Sequence, residues 1–207
     1  MADPSGEPIG RDAATSTRCL ILVKHAQPLL DAATPPRAWR LAPEGEVQAA
    51  ALAGRLRAYL PFRLVASPEP KAVRTAAITG KALGLALQII EGLQEIDRPA
   101  LPILPPDEHR RLNASIFARH RSPVLGTESA AAALKRFGAA LDAALAAAGR
   151  EHVVAVTHGT VIALYVAAHN PVDGYTFWCG LSCGDFAVLS LPHRRILEVV
   201  RPVGGTT

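Results

Sequence analysis

Leu20-Ile21-Leu22-Val23-Lys24-His25-Ala26-Gln27-Pro28 is an apolar run that ends on a histidine. Far down the chain, Val153-Val154-Ala155-Val156-Thr157-His158-Gly159-Thr160 ends the same way. Apolar runs without alternation read as strands buried on both faces, as in the middle of a parallel sheet. In an open α/β sheet, ligands bind outside the carboxyl ends of the strands. Two imidazoles delivered to that edge, one with a lysine beside it, point to anion chemistry. Either histidine alone reads as an ordinary strand-end residue; the pair carries the argument. Gly159 permits close backbone approach. Thr160 is a candidate N-cap for a helix whose free N–H groups face an anion.

The segments around these runs alternate in kind. Gln27 to Arg37 carries Pro28, Pro35 and Pro36 and reads as loop. A helix is expected from Glu44 to Tyr59, started by Pro43, with Val47, Ala50/Ala51, Gly54 and Ala58 as its apolar spacing. Leu64 to Ser67 reads as a short strand, followed at once by a helix from Pro70 to Leu83 with Gly84 as its C-cap. Leu87 to Ile90 reads as a third strand, and Glu91 to Pro106 as loop. Two helices follow, Asp107 to His120 and Ser129 to Ala148. After the strand His152 to Thr157 come a helix from Val161 to Ala168 and a terminal hairpin, Asp185 to Leu191 and Arg195 to Arg201. This order predicts a three-layer αβα sandwich with a mostly parallel central sheet, an antiparallel edge strand and a helical insertion.

The 207-residue length fits a single domain, and 49% hydrophobic residues are enough to bury a core. Residues 1–17 read as a flexible tail with no apolar stretch of a secretory signal, and 18–207 as the domain. No run is long enough to span a bilayer. The net charge of +4 is dispersed and forms no basic stripe, which argues against a nucleic-acid partner. Cys19, Cys179 and Cys183 make no metal-binding spacing, and a reducing cytoplasm is the simplest compartment.

Ser67-Pro68-Glu69-Pro70-Lys71-Ala72-Val73-Arg74-Thr75-Ala76 runs from a strand end directly into a helix. Lys71 and Thr75 are one turn apart, so both can face the sheet edge; the bland alternative makes Lys71 and Arg74 a solvated helix face. Glu95, in Leu93-Gln94-Glu95-Ile96-Asp97-Arg98, is a candidate general acid or base; the bland alternative pairs it with Arg98.

The ordered set resembles the histidine phosphatase superfamily, the phosphoglycerate-mutase-like fold. The motifs are Lys24-His25-Ala26, then Trp39-Arg40-Leu41 with Gly45 and Gln48-Ala49, then Ser67-Pro68 through Lys71-Ala72 to Thr75-Ala76. Leu93-Gln94-Glu95 and Val153 to Gly159 complete them. The resemblance runs from about Cys19 to Arg201. It implies that His25 accepts the phosphoryl group, that Glu95 protonates the leaving oxygen and then activates water, and that His158 donates to the phosphoryl oxygens. It implies phosphate contacts from Lys24, Lys71 and Gly159, with Arg98 and Gln27 as further candidates, and neither a cofactor nor a metal. Positions 24 and 71 depart from the family pattern, which has arginine at both. Lysine keeps the charge but not the planar fork.

Past Glu95 the chain reads Asp97-Arg98-Pro99-Ala100-Leu101-Pro102, without the glycine- and tryptophan-containing stretch of the mutase-like members. A phosphatase acting on a small phosphorylated substrate is therefore expected, with residues 99–129 roofing the site. One alternative is a non-catalytic phospholigand- or partner-binding protein on the same fold. Another is a metal hydrolase using His25, His158 and Glu95, which two neighbouring ammonium groups disfavour. The Trp178 to Cys183 segment and the terminal hairpin are candidate homodimer faces.

Overall fold

The computed structural model describes residues 17–100 and 102–201. All but the last residue of the expected tail lies outside the described residues. In chain order the elements are β1 (Cys19–Lys24), α1 (Pro43–Leu56), β2 (Phe62–Ala66), α2 (Pro70–Leu83), β3 (Leu87–Ile89), α3 (Pro106–Ala118), α4 (Ala130–Ala147), β4 (His152–Thr157), α5 (Gly159–His169), α6 (Gly174–Cys179), β5 (Phe186–Ser190) and β6 (Ile196–Val200).

The six strands form one sheet in the order β3-β2-β4-β1-β5-β6. The β3, β2, β4 and β1 pairings are parallel, and the β5–β6 hairpin adds antiparallel strands beside β1. The two histidine-bearing runs are therefore neighbours, with Lys24 opposite Thr157. Alternate residues of each strand face opposite layers. Leu20 and Leu22 of β1, with Val153 and Ala155 of β4, meet Phe137 and Leu141 of α4 and Ile162 and Tyr165 of α5. Cys19, Ile21 and Val23, with Val154 and Val156, meet Leu52 and Leu56 of α1 and Ala72 and Ala76 of α2. Burial on both faces is why these strands read as unbroken apolar runs. The expected αβα sandwich with a helical insertion is the fold observed.

Several ends follow local rules. Gly84 caps α2 in the left-handed region at φ 70°. Ser129 caps α4 by accepting from the Ala132 N–H at 3.2 Å. The helix after β2 faces the opposite way from a solvated one at position 71: Lys71 is buried, while Arg74 is exposed and pairs with Glu46.

The spacing read for α1 was the wrong face. Val47 is 71% exposed, and Gly54 and Ala58 also face solvent. The buried stripe is Gly45, Ala49, Leu52, Ala53 and Leu56, and the helix ends at Leu56 in a 3-10 turn, Arg57–Tyr59. In an alanine-rich helix both faces look apolar, and the large residues Leu52 and Leu56 decide which one packs.

The Trp39 to Ala49 motif serves the loop after β1. The Gln27 N–H donates to Gln48 Oε1 at 2.9 Å, and the Ala42 N–H donates to the Gln27 carbonyl at 3.0 Å. A Cβ added to Gly45 would lie 2.1 Å from that carbonyl oxygen. No side chain fits there, so the glycine lets α1 press on the backbone two residues past His25. Gly45→Ala should force this loop away and destabilise the fold by about 1–3 kcal/mol. Urea unfolding of the two proteins measures it, and an unchanged midpoint would contradict the packing described.

Candidate active site

His25 leaves β1 with its N–H still donating to the Thr157 carbonyl at 2.9 Å. Its Nδ1 lies 2.8 Å from the carbonyl of Ala26. A carbonyl only accepts, so Nδ1 carries the proton and Nε2 keeps its lone pair. The Ala26 N–H donates to Thr75 Oγ1 at 3.1 Å, and that hydroxyl donates to the Lys71 carbonyl at 2.7 Å. Thr75, in the Ser67 to Ala76 motif, thus braces the backbone beside His25. Burial, and then the Lys71 charge, bring the His25 pKa down to about 3. The imidazole is uncharged at neutral pH.

His158 occupies the N-cap position of α5 and is fully buried. Its ring centroid is 5.2 Å from that of His25, with the planes tilted by 60°. Nε2 lies 2.8 Å from Ser67 Oγ and 3.5 Å from Glu69 Oε1. Nδ1 has no partner among the described residues. Burial, with Lys71 and His25 adding to it, holds its pKa well below the ordinary value. Thr160, expected as the N-cap, lies inside α5; its Oγ1 instead accepts from Arg98 at 2.7 Å.

Glu95 sits against the start of α5. Its Oε2 accepts from the Thr160 N–H at 3.0 Å, and its Oε1 from the Val161 and Ile96 N–H groups at 3.2 and 2.9 Å. Helix N-termini leave such donors unpaired and carry partial positive charge, so a carboxylate is held there. It does not pair with Arg98. That guanidinium donates to Asn113 Oδ1 at 2.8 Å and to Thr160, and its buried Nε has no partner among the described residues.

Lys24 and Lys71 both reach the site. Lys24 Nζ donates to the Leu181 carbonyl and Lys71 Nζ to the Pro36 carbonyl, each at 2.7 Å. Lys71 also forms a buried ion pair with Glu69. Glu69 was missed by the sequence reading. It is 6% exposed, and its Oε1 accepts the Glu95 N–H at 2.8 Å. The available signal was its place just before Pro70, which makes it the N-cap of α2 at a strand's carboxyl end. A side chain there points at the same edge as the histidines.

A cavity of about 660 Å³ gathers His25, His158, Glu69, Glu95, Lys24, Lys71, Arg98 and Gly159. His109, Thr127 and Glu128 of the inserted segment line it, with Trp39 and Trp178. Gln27 is not part of its lining. Its backbone is bound to α1, and its side-chain amide donates to the Pro28 carbonyl at 3.4 Å. A Cβ on Gly159 would come within 3.4 Å of the Lys24 stem and of Trp178 Nε1, so glycine keeps the path between them open. Among the described residues, no three or more His, Cys, Asp or Glu side chains gather as a metal site. No described helix is long and apolar enough to cross a membrane.

Two imidazoles over one cavity, with Lys24, Lys71, Arg98 and the N-terminus of α5 beside them, are groups suited to phosphoryl transfer. The sequence matches the family model of the histidine phosphatase superfamily (branch 1) over residues 20–190, and the chain belongs to that superfamily. A search of curated protein sequences finds no significant match. Among solved structures it resembles a mycobacterial glucosyl-3-phosphoglycerate phosphatase complexed with VO3, with 24% identity and a TM-score of 0.68, covering 88% of this chain and 97% of that one. A protein from Thermus thermophilus is 25% identical, with a TM-score of 0.66, covering 89% and 99%. A phosphoserine phosphatase mutant from Entamoeba histolytica is 19% identical, with a TM-score of 0.67, covering 89% and 95%.

The depressed histidine pKa has a consequence for stability. A histidine that stays neutral when folded binds its proton only on unfolding, so acid favours the unfolded chain. From the ordinary value of 6.5 down to about 3, His25 should remove up to about 1.4 kcal/mol of stability per pH unit. His25→Asn should flatten this slope in denaturant titrations across the same range. An equal slope in both proteins would place the acid sensitivity elsewhere.

Proposed function

We infer that this protein is a phosphomonoesterase that works through a phosphohistidine on His25. The observation that carries the reading is the His25 tautomer. The Ala26 carbonyl holds the Nδ1 proton, leaving an uncharged Nε2 in a cavity that Lys24, Lys71 and Arg98 also line.

In the proposed cycle, the phosphoryl group of a small ester sits among Lys24, Lys71, Arg98 and the Gly159 N–H, with His158 donating to its oxygens. His25 Nε2 attacks phosphorus in line as the ester P–O bond breaks. The electron pair stays on the leaving oxygen, which takes a proton from Glu95, itself protonated from the monoanionic ester or solvent as the substrate enters. Water then attacks the phosphorus of phosphohistidine while Glu95 accepts its proton, and the P–N bond breaks to return neutral His25. The roof over the cavity, from residues 99–129, would select the alcohol part of the ester. A binding protein without catalysis would need the same cations but not a free imidazole nitrogen.

Hydrolysis of p-nitrophenyl phosphate tests this. His25→Ala should lose at least about a thousandfold in kcat/KM. Wild-type protein quenched during turnover should carry an alkali-stable, acid-labile phosphoryl group that the variant lacks. Equal activity in both proteins would refute the phosphohistidine route, and phosphate binding without turnover on a panel of esters would establish the binder. Glu95→Gln should lose about 100-fold or more on alkyl phosphates and less on p-nitrophenyl phosphate, whose leaving group needs little acid help. An equal loss on both would make Glu95 a helix cap only.

A further inference from the structure

Glu69 is a buried carboxylate on the side of the cavity where Lys24, Lys71 and both histidines meet. It lines the same space as both histidines and both lysines. Its Oε2 is ion-paired with Lys71, and its Oε1 accepts the Glu95 N–H and lies 3.5 Å from His158 Nε2. An ammonium has three donors. Lys71 directs one to Glu69 and one to the Pro36 carbonyl, which leaves one for a ligand. The charged and titratable groups around Glu69 are Lys71 from α2, Glu95 and Arg98 from the loop after β3, and His158 from the end of β4. His25 and Lys24, from the end of β1, line the same space.

We propose that Glu69 is a built-in competitor for Lys71, so that a phosphate-like dianion enters this pocket together with one proton, which Glu69 takes up. The proposal rests on the phosphatase reading and adds a positioning residue to it. The step balances. A solvent proton goes to Oε2, the ion pair with Lys71 breaks, the freed ammonium N–H turns to an anion oxygen, and the neutral acid offers its own O–H. Without that proton, a dianion and the buried Glu69 carboxylate share the Lys71 ammonium, and like charges that close repel. Arginine at position 71 would serve both with its five donors. Lysine with Glu69 makes a clasp that opens on protonation. Burial already pushes the Glu69 carboxyl up, against the pull of Lys71.

Above the pKa of Glu69 in the free protein, affinity for a dianion should fall by up to about tenfold per pH unit. Sulfate is the probe, because it keeps both charges from about pH 5 to about pH 9. Calorimetric titration in two buffers of different ionisation enthalpy counts the protons taken up. Wild type should gain close to one proton per sulfate on the falling limb. Glu69→Gln should gain none there and should bind sulfate at about pH 8 at least about tenfold more tightly than wild type. Glu69→Asp should restore the slope. Uptake that persists in Glu69→Gln would put the proton on a histidine and overturn the proposal, as would weaker binding by this variant at every pH. If Glu69→Gln does not fold, Lys71→Arg takes its place: uptake should drop, and undiminished uptake overturns the proposal. The two readings fail separately. Protein that hydrolyses p-nitrophenyl phosphate through His25 but binds sulfate without uptake refutes this proposal alone. Protein that binds sulfate with uptake but hydrolyses nothing refutes the phosphatase reading.

Discussion

The pairing of β1 with β4, with Lys24 opposite Thr157, is the constraint on which the site depends. It is extended by one bond beyond the strands, from the His25 N–H to the Thr157 carbonyl. Because the strands are parallel and end level, the next residue of each is a histidine at the same edge. A slip of two residues would keep every side chain on its own face yet move one ring by roughly 7 Å. The core prevents that slip, since both faces of both strands are buried against helices. Packing of Leu20, Ile21, Val153 and Val154 is thus also the positioning of His25 against His158.

Around the rings, the charged groups are held by the protein itself before any ligand arrives. Lys24 is bound to a carbonyl, Lys71 to a carbonyl and Glu69, Glu95 to the α5 N-terminus, and Arg98 to Asn113 and Thr160. Pre-set donors cost little reorganisation when charge develops, which is where such sites gain most. The histidines are the exception, with Nε2 of His25 and Nδ1 of His158 free of protein partners among the described residues. Together with the Arg98 Nε and the remaining N–H donors of Lys24 and Lys71, these two ring nitrogens are the hydrogen-bonding capacity the pocket keeps for a ligand.

Most of the fold and much of the site could be read from the residues. Strand-end histidines, Lys71 and Thr75 at helical spacing, and Gly45 with Gln48 are tied to the backbone by position, so their spacing survives in one dimension. Glu69 was not legible in the same way, because a carboxylate beside a proline at a helix start reads as an exposed cap. Only the approach of the Glu95 loop and His158, from segments 26 and 89 residues away, buries it. The face of α1 was misread because alanine gives no contrast between its sides. Helix α6 was not anticipated at all; at six residues it is too short for a period to show, and it stands on the Asp173 cap and packing against α5.

Asn113 gives the inserted segment a second consequence. It is fully buried on α3, donates to the His109 carbonyl of its own helix, and accepts from Arg98. The wall of the cavity and one of its cations therefore share a hinge point. Any shift of α3, which packs on α6, therefore also strips Arg98 of an acceptor and moves one charge of the cavity. The shape of the cavity is thereby tied to its charge: a guest large enough to displace α3 also moves a cation.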